Sequence, residues 1–205
     1  MEKFTKVTGV AAPLMRQNVD TDLIIRIERL VDNTGRKGLG PYCFEQIRFK
    51  PDGTEDPDCV LNQPSYRDAP IILSAENFGC GSSREGAVWA LAGMGIRAVI
   101  APGFGDIFYN NCFQNGLLPV ALPIEEVERL ADETRASPGN ARVTVDLENC
   151  RIVSPTGRVI PFRIDARRQR ALLNGLDDIA QTMSHKDEIA SWQAADKSVR
   201  PWVWL

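Results

Sequence analysis

Histidine is almost missing from this sequence: among 205 residues there is one, His185. With a single His, a Ser-His-Asp triad or a protein-borne zinc site is close to excluded, and acid–base work must come from other groups. No metal ligand is assigned on this chain. Cysteine is present but unpatterned. Five thiols, Cys43, Cys59, Cys80, Cys112 and Cys150, are odd in number and include no C-x-x-C pair. That argues against a disulfide framework or a metal knuckle and for reduced, mostly core, side chains. No stretch approaches the roughly 18 apolar residues of a membrane helix, and the opening MEKFTKVTGVAAP holds no apolar segment of the signal-peptide kind. Runs of Lys and Arg interleaved with aromatics are absent too, and the net charge is −3. The expectation is a cytoplasmic protein with neither a membrane nor nucleic acid as a partner.

What is there describes an ordinary globular chain, with 43% hydrophobic and 25% charged residues. Its length suits one domain spanning 1–205, with a core over about 4–165 and a helical extension over about 165–205. The most informative stretch is APIILSAENFGCGSSREGAVWALA at 69–92. Residues 70–73 are an apolar run of the length of a strand buried on both faces. Gly79 and Gly81 then let the backbone turn tightly and bring its N–H groups near whatever sits above the strand end. From Ser83 onward Ala87, Val88, Leu91 and Ala92 recur at helical spacing, so Ser82, Ser83 and Arg84 fall in or just before a first helical turn. Ser82 and Glu85 also fit S-x-x-E, the capping box, and one reading of the turn is a helix start and nothing more. The other is a carboxylate site, because capping needs neither a second hydroxyl nor the planar two-pronged donor of Arg84. Cys80 reads as a small space-filler under the turn, or as a reactive thiol.

Along the rest of the chain, residues 4–12 predict a first strand. In RQNVDTDLII, at 16–25, Asn18, Asp20, Thr21 and Asp22 form either a turn and helix cap or part of a pocket. The Gly-rich 30–40 segment predicts a mobile surface loop, either a solvated linker or a flap whose Arg36 or Lys37 closes over an anion. PYCFEQIRF could form a short helix, and 50–68 should be irregular. Strands at 97–101 and 118–122 alternate with helices at 106–115 and 124–136, the pattern of βαβ crossovers and a small parallel sheet, whose ligands bind beyond the carboxyl ends of the strands. RVTVDL, CRIVSP and VIPFRI predict an antiparallel meander with a turn at 155–157. Helices follow at 165–174 and from 176 to about 195. The tryptophans of the RPWVWL tail are expected to pack on the core or a sheet edge, the alternative being a partner interface.

NVDTDLII (18–25), ENFGCGSSRE (76–85), IAPGFGDIFYNNCFQNGLLPV (100–120) and NGLDDI (174–179) resemble, in order and spacing, the small subunits of 3-isopropylmalate dehydratase. That family is built on the swivelling domain of the aconitase superfamily. The resemblance runs from about residue 4 to residue 192. It implies an α/β, three-layer (β/β/α) swivelling-domain fold with a small parallel or mixed sheet and C-terminal helices. It also implies a hydro-lyase of leucine biosynthesis, active only with a large subunit, that interconverts a substituted malate through an alkene diacid. Ser82 would be the catalytic base, and Ser83 and Arg84 would hold the oxyanion and a substrate carboxylate. Arg36 would clamp the substrate, Asp20, Thr21 and Gly81 would line its pocket, and Lys37, Arg26 and Cys80 are further candidates. The chain itself would bind no cofactor; a [4Fe-4S] cluster on the large subunit would take the leaving hydroxyl. Two positions depart from the family words. Gly86 stands where histidine is usual, and Arg26 replaces the proline that typically ends NVDTDxIIP. Gly103 and Gly105 stand where small hydroxyl residues or alanine are commoner. These departures leave open another branched malate, such as 2-methylmalate or a dimethylmalate, or a non-catalytic anion-binding relative.

Overall fold

The computed structural model describes residues 1–31 and 38–204. In chain order its elements are β1 (Lys6–Gly9), β2 (Ala11–Leu14), α1 (Thr21–Ile24), α2 (Ile27–Val31), α3 (Glu45–Arg48), β3 (Ile71–Ser74), α4 (Glu85–Gly93), β4 (Ala98–Ala101), α5 (Asp106–Asn115), β5 (Leu118–Ala121) and α6 (Ile124–Ala136). There follow β6 (Val143–Asp146), β7 (Arg151–Val153), β8 (Val159–Pro161), α7 (Ala166–Asn174), α8 (Asp178–Met183) and α9 (Lys186–Val199).

The expected first strand is two strands in two sheets. β1 pairs antiparallel with β6, and after Val10 the chain crosses so that β2 pairs parallel with β3. Gly9 permits the crossing: a Cβ there would stand 2.4 Å from Pro70 Cγ. Burial separates the halves, since β1 keeps one face wet whereas every residue of β2 is buried. The parallel sheet runs β2-β3-β4-β5 and the antiparallel one β1-β6-β7-β8, which contains the anticipated meander.

Strand alternation sorts the parallel sheet's side chains into two cores. Ile72 and Val99 join Val88 and Leu91 of α4 on one face. Ile71, Leu73, Ala98 and Ile100 join Val127 and Leu130 of α6 and Val143, Val145 and Ile152 of the antiparallel sheet on the other. The result is helix, parallel sheet, then α6 with the second sheet, as the α/β expectation has it. Near-continuous apolar strands are what burial on both faces demands.

Three local expectations change. The 30–40 loop has structured ends: Leu30 and Val31 close α2, and Leu39 and Gly40 are buried against the core. Its residues 32–37, Arg36 and Lys37 included, lie outside the described residues. The expected helix from 176 to about 195 is broken between α8 and α9, with Asp177 capping α8 through its carboxylate at 2.8 Å from the Ala180 N–H. The tail does not reach the core. Trp204 packs on Trp192 of α9 at 6.4 Å between ring centroids and donates to Asp196 at 2.8 Å, while Trp202 is 70% exposed.

Candidate active site

The site is built where the crossover to β4 leaves β3. Beyond Ser74 the chain does not enter a helix directly but lays residues 76–81 alongside 18–21. The Asn18 N–H donates to the Glu76 carbonyl (2.9 Å), Gly79 N–H to Val19 O (2.6 Å) and Thr21 N–H to Cys80 O (3.0 Å). Asn18 and Asn77 both adopt positive φ, 54° and 62°, where a short polar side chain is tolerated, and the Asn77 amide bonds the Asn18 side chain at 2.7 Å. The two sequence words are thus zipped together by their backbones.

A third word supports them from beneath. Phe78 N–H donates to Gly103 O (3.0 Å) and Gly105 N–H returns to Phe78 O (2.9 Å). A Cβ on Gly105 would stand 2.5 Å from the Gly79 carbonyl oxygen, so only glycine allows that approach. Gly79 has φ +73° and lies against the Phe108 ring of α5, where a Cβ would come within 2.2 Å of Cγ. Phe78, Phe104 and Phe108 form an edge-to-face and stacked set under the turn. These aromatics, two from loops and Phe108 from α5, support the site from below, a role that their apolar character alone did not signal in the sequence.

On top lie the predicted residues. Asp20 caps α1, its carboxylate 2.7 Å from the Leu23 N–H, so the helix-cap reading of that aspartate holds. Thr21 Oγ1 donates to the Ser82 carbonyl at 3.1 Å, fixing the turn's backbone, and Gly81 takes φ +86°, where a Cβ would stand 3.4 Å from the Asp20 Cβ. Ser82 and Ser83 are exposed. Arg84, partly shielded, pairs with Asp22 through one terminal nitrogen and reaches toward Ser82 Oγ with the other at 3.5 Å. Asp20, Thr21, Gly81, Ser82, Ser83 and Arg84 therefore come together in one patch, and Asp22 joins them as the residue that aims the guanidinium. Cys80 lies half-buried within it and serves through its backbone carbonyl. Arg26 is engaged elsewhere, by Glu28 at 3.1 Å and Glu45 at 3.9 Å, and its guanidinium holds the Glu28 carboxyl below the usual range together with that residue's own backbone N–H, which contributes most.

The capping box is not formed. α4 begins at Glu85 with Arg84 in the N-cap position and no side-chain cap, leaving the Ser82 hydroxyl uncapped and in reach of the Arg84 guanidinium. Glu85 instead accepts from Asn115 of α5 at 2.9 Å. Gly86 is buried, and the δ-carbons of Leu30 sit where a Cβ would point, at 2.5 and 2.9 Å. Leu30 and Asn115 were beyond sequence reasoning, since each acts across elements that only the fold brings together.

The chemistry available is that of an anion site with a serine at its edge. The N-terminus of α4, the turn amides and Arg84 all favour negative charge. The chain does not fit an iron–sulfur cluster: among the described residues no three His, Cys, Asp or Glu side chains are grouped to hold a metal, and Cys43 and Cys112 are fully buried with thiols pushed far up by that burial. A cavity of about 660 Å³ lies between α5, α7 and α8, walled by Asn110, Gln114, Arg167, Arg168 and Gln181 rather than by the turn.

Residues 1–125 match the aconitase C-terminal domain family, and residues 128–166 match the family described as LeuD_N. The 3-isopropylmalate dehydratase small subunit of Dinoroseobacter shibae is 54% identical over 203 residues, 99% of this chain and 100% of that one. Its counterpart in Paracoccus denitrificans is 50% identical with the same coverage. Among solved structures, 3-isopropylmalate dehydratase (leuD) of Methanocaldococcus jannaschii superposes with a TM-score of 0.65 at 28% identity, covering 91% of this chain and 98% of that one. Full-length identity at this level, on a fold whose two sheets and glycine turn match the expectation, means that the chain belongs to the 3-isopropylmalate dehydratase small subunits, hydro-lyase components built on the aconitase C-terminal domain.

Proposed function

We propose that this chain, paired with a large subunit, isomerises 2-isopropylmalate to 3-isopropylmalate in leucine biosynthesis by removing water and adding it back at the neighbouring carbon, and that Ser82 is the base. The observation that carries the reading is the exposed, uncapped Ser82 hydroxyl at the edge of a turn whose amides, helix start and Arg84 all favour negative charge. A serine hydroxyl is a weak acid, and as an alkoxide it needs that local field.

In this reading Ser82 Oγ removes the proton α to a carboxylate and returns it in the reverse direction. Ser83 and the backbone at Gly81 steady the oxyanion, Arg84 grips a carboxylate with the face that Asp22 leaves open, and Asp20 and Thr21 hold the turn's shape. Arg36 completes the carboxylate grip. A [4Fe-4S] cluster on the large subunit supplies the Lewis acid for the departing hydroxyl. The substrate is a small dicarboxylate, and the complex works in the cytoplasm.

The test reconstitutes the chain with its large subunit and follows formation of the alkene diacid from 2-isopropylmalate and, in parallel, from 2-methylmalate. Ser82→Ala should lower kcat by about 10² or more, the range of a lost general base, and the small chain alone should be silent. Turnover by the isolated chain, or unchanged kcat in Ser82→Ala, overturns the assignment. A kcat/KM favouring 2-methylmalate would move the chain to a neighbouring branched-malate dehydratase.

A further inference from the structure

Ser82 and Glu85 have the spacing of a capping box, and an isolated peptide with that sequence would be expected to make one: the serine hydroxyl on the Glu85 N–H, the Glu85 carboxylate on the Ser82 N–H. In the fold the Glu85 carboxylate is instead met from the α5 side. Asn115, the last residue of α5, spends its whole side chain on the task. Its Nδ2 donates to Glu85 Oε1 at 2.9 Å and to the Asn111 carbonyl at 2.9 Å, while its Oδ1 accepts from Trp89 Nε1 at 3.0 Å. Glu85 and Trp89 are one turn apart on α4 and share a face, so a single carboxamide can bridge both. The bond to Asn111 locks the carboxamide's orientation, with N toward the acid and O toward the indole. The helix then starts at Glu85 rather than winding back to Ser82, and Arg84 N–H closes onto Ser82 O at 2.9 Å in a tight turn instead.

We infer that Asn115 is a positioning residue for the reaction: by holding the Glu85 carboxylate away from the Ser82 N–H, it stops α4 from extending through Arg84 and Ser83 and keeps the Ser82 hydroxyl out of a helix cap, beside the Arg84 guanidinium. The inference rests on the reading of Ser82 as the base for its effect on turnover, but not for its effect on the turn. No other residue type of this size offers a donor to an acid and an acceptor to an indole at once. Aspartate keeps the shape and the acceptor and loses both donors.

The experiment uses the full chain as Asn115→Asp, labelled with ¹³C and ¹⁵N, and the same variant reconstituted with the large subunit. The Cα shifts of Ser83 and Arg84 should move to helical values, the Ser82 and Glu85 amides should gain exchange protection, and kcat should fall at least tenfold with KM changed less. Adding Glu85→Ala, which cannot cap, should return the shifts and most of kcat even though both halves of the bridge are then gone. A purely structural Asn115 predicts the opposite, a double variant worse than the single. Should Asn115→Asp fold poorly, Asn115→Ala with and without Glu85→Ala poses the same question. Unmoved turn shifts in the single variant, or no recovery in the double, overturn the inference. Ser82→Ala run alongside separates the failures: if it retains turnover the base assignment falls by itself, and if it is dead while Asn115→Asp is unaffected, only the role of Asn115 falls.

Discussion

Gly86 stands where the resemblance of its sequence word leads one to expect histidine, and Leu30 occupies the space that a larger residue would need, its δ-carbons 2.5 and 2.9 Å from where a Cβ would stand. A histidine at this position should therefore overpack the α2–α4 contact. Gly86→His should cost about 1–3 kcal/mol in urea unfolding, and Leu30→Ala in the same chain should recover most of it, because contacting residues couple. Gly86→Ala should be nearly neutral, since flexible methyl ends can yield and a helix gains up to about 1 kcal/mol when glycine is replaced by alanine. Gly105 offers no such escape, its obstacle being the Gly79 carbonyl. Asp22 makes a different prediction. Its side chain is 52% exposed, so its pair with Arg84 contributes at most about 1 kcal/mol to stability. Asp22→Ala should leave the unfolding midpoint within error yet raise KM several-fold in the reconstituted enzyme, because the guanidinium loses the contact that aims it. A matched fall in kcat with unchanged KM would contradict that role.

At the scale of elements, the turn at 79–84 is held by its supports. α5 presses Phe108 against Gly79, whose φ of +73° a side chain would strain and whose missing Cβ leaves 2.2 Å to the ring. Gly79→Ala combines strain with overlap and should cost about 2–4 kcal/mol. In a chain of this length that is a fall of roughly 4–16 °C in Tm by calorimetry. Such supports explain what could be read in advance. The strands at 71–74, 98–101 and 118–121, the helices between them and the meander were legible because burial on one face or both writes its period into the residues. The patch of Asp20, Thr21, Gly81, Ser82, Ser83 and Arg84 was legible because unusual polar and glycine words are rarely required by a core. The switch of sheets at Val10 was not, since two short strands in sequence carry one alternation, and only Gly9 against Pro70 reveals the break. The capping box misled for a related reason: a local motif competes with a partner 30 residues away, and Asn115 wins because its carboxamide is already fixed by Trp89 and Asn111.

Taken whole, the molecule is two apolar cores sharing one parallel sheet, with an outer antiparallel sheet fastened by carboxylates. α9 contributes no buried residue, so removing residues 185–205 should leave calorimetric Tm within about 2 °C, while Trp89 becomes the sole indole and reports the α4–α5 contact directly. The outer sheet is where acid should act. The Asp146 carboxylate is 2% exposed and takes the Asn149 backbone N–H at 3.1 Å, the Asn149 amide at 2.9 Å, Arg151 at 3.4 Å and Lys6 at 3.8 Å. Burial pushes its carboxyl up, and those donors and cations pull it further down, for a net shift below the ordinary value. Glu133 of α6 behaves alike: burial is outweighed by Ser154, Thr156 and Arg158, which tie α6 to the β7–β8 turn. A carboxylate with a depressed folded pKa binds protons more weakly in the folded state, so its contribution is complete above the unfolded value near 4 and disappears as pH falls through the folded one. Stability should accordingly be flat from about pH 6 to 7 and decline below about pH 4. Asp146→Asn separates this site from general acid denaturation. At pH 7 it should lose about 1.5–3 kcal/mol, the range for hydrogen bonds to a charged group, and the gap to the wild-type chain should narrow as pH falls below the ordinary carboxylate range and Asp146 takes up its own proton. Urea titrations of both chains across that range decide it: a difference that stays constant with pH would mean that shape, not the ionised carboxylate, fastens β1, β6 and β7.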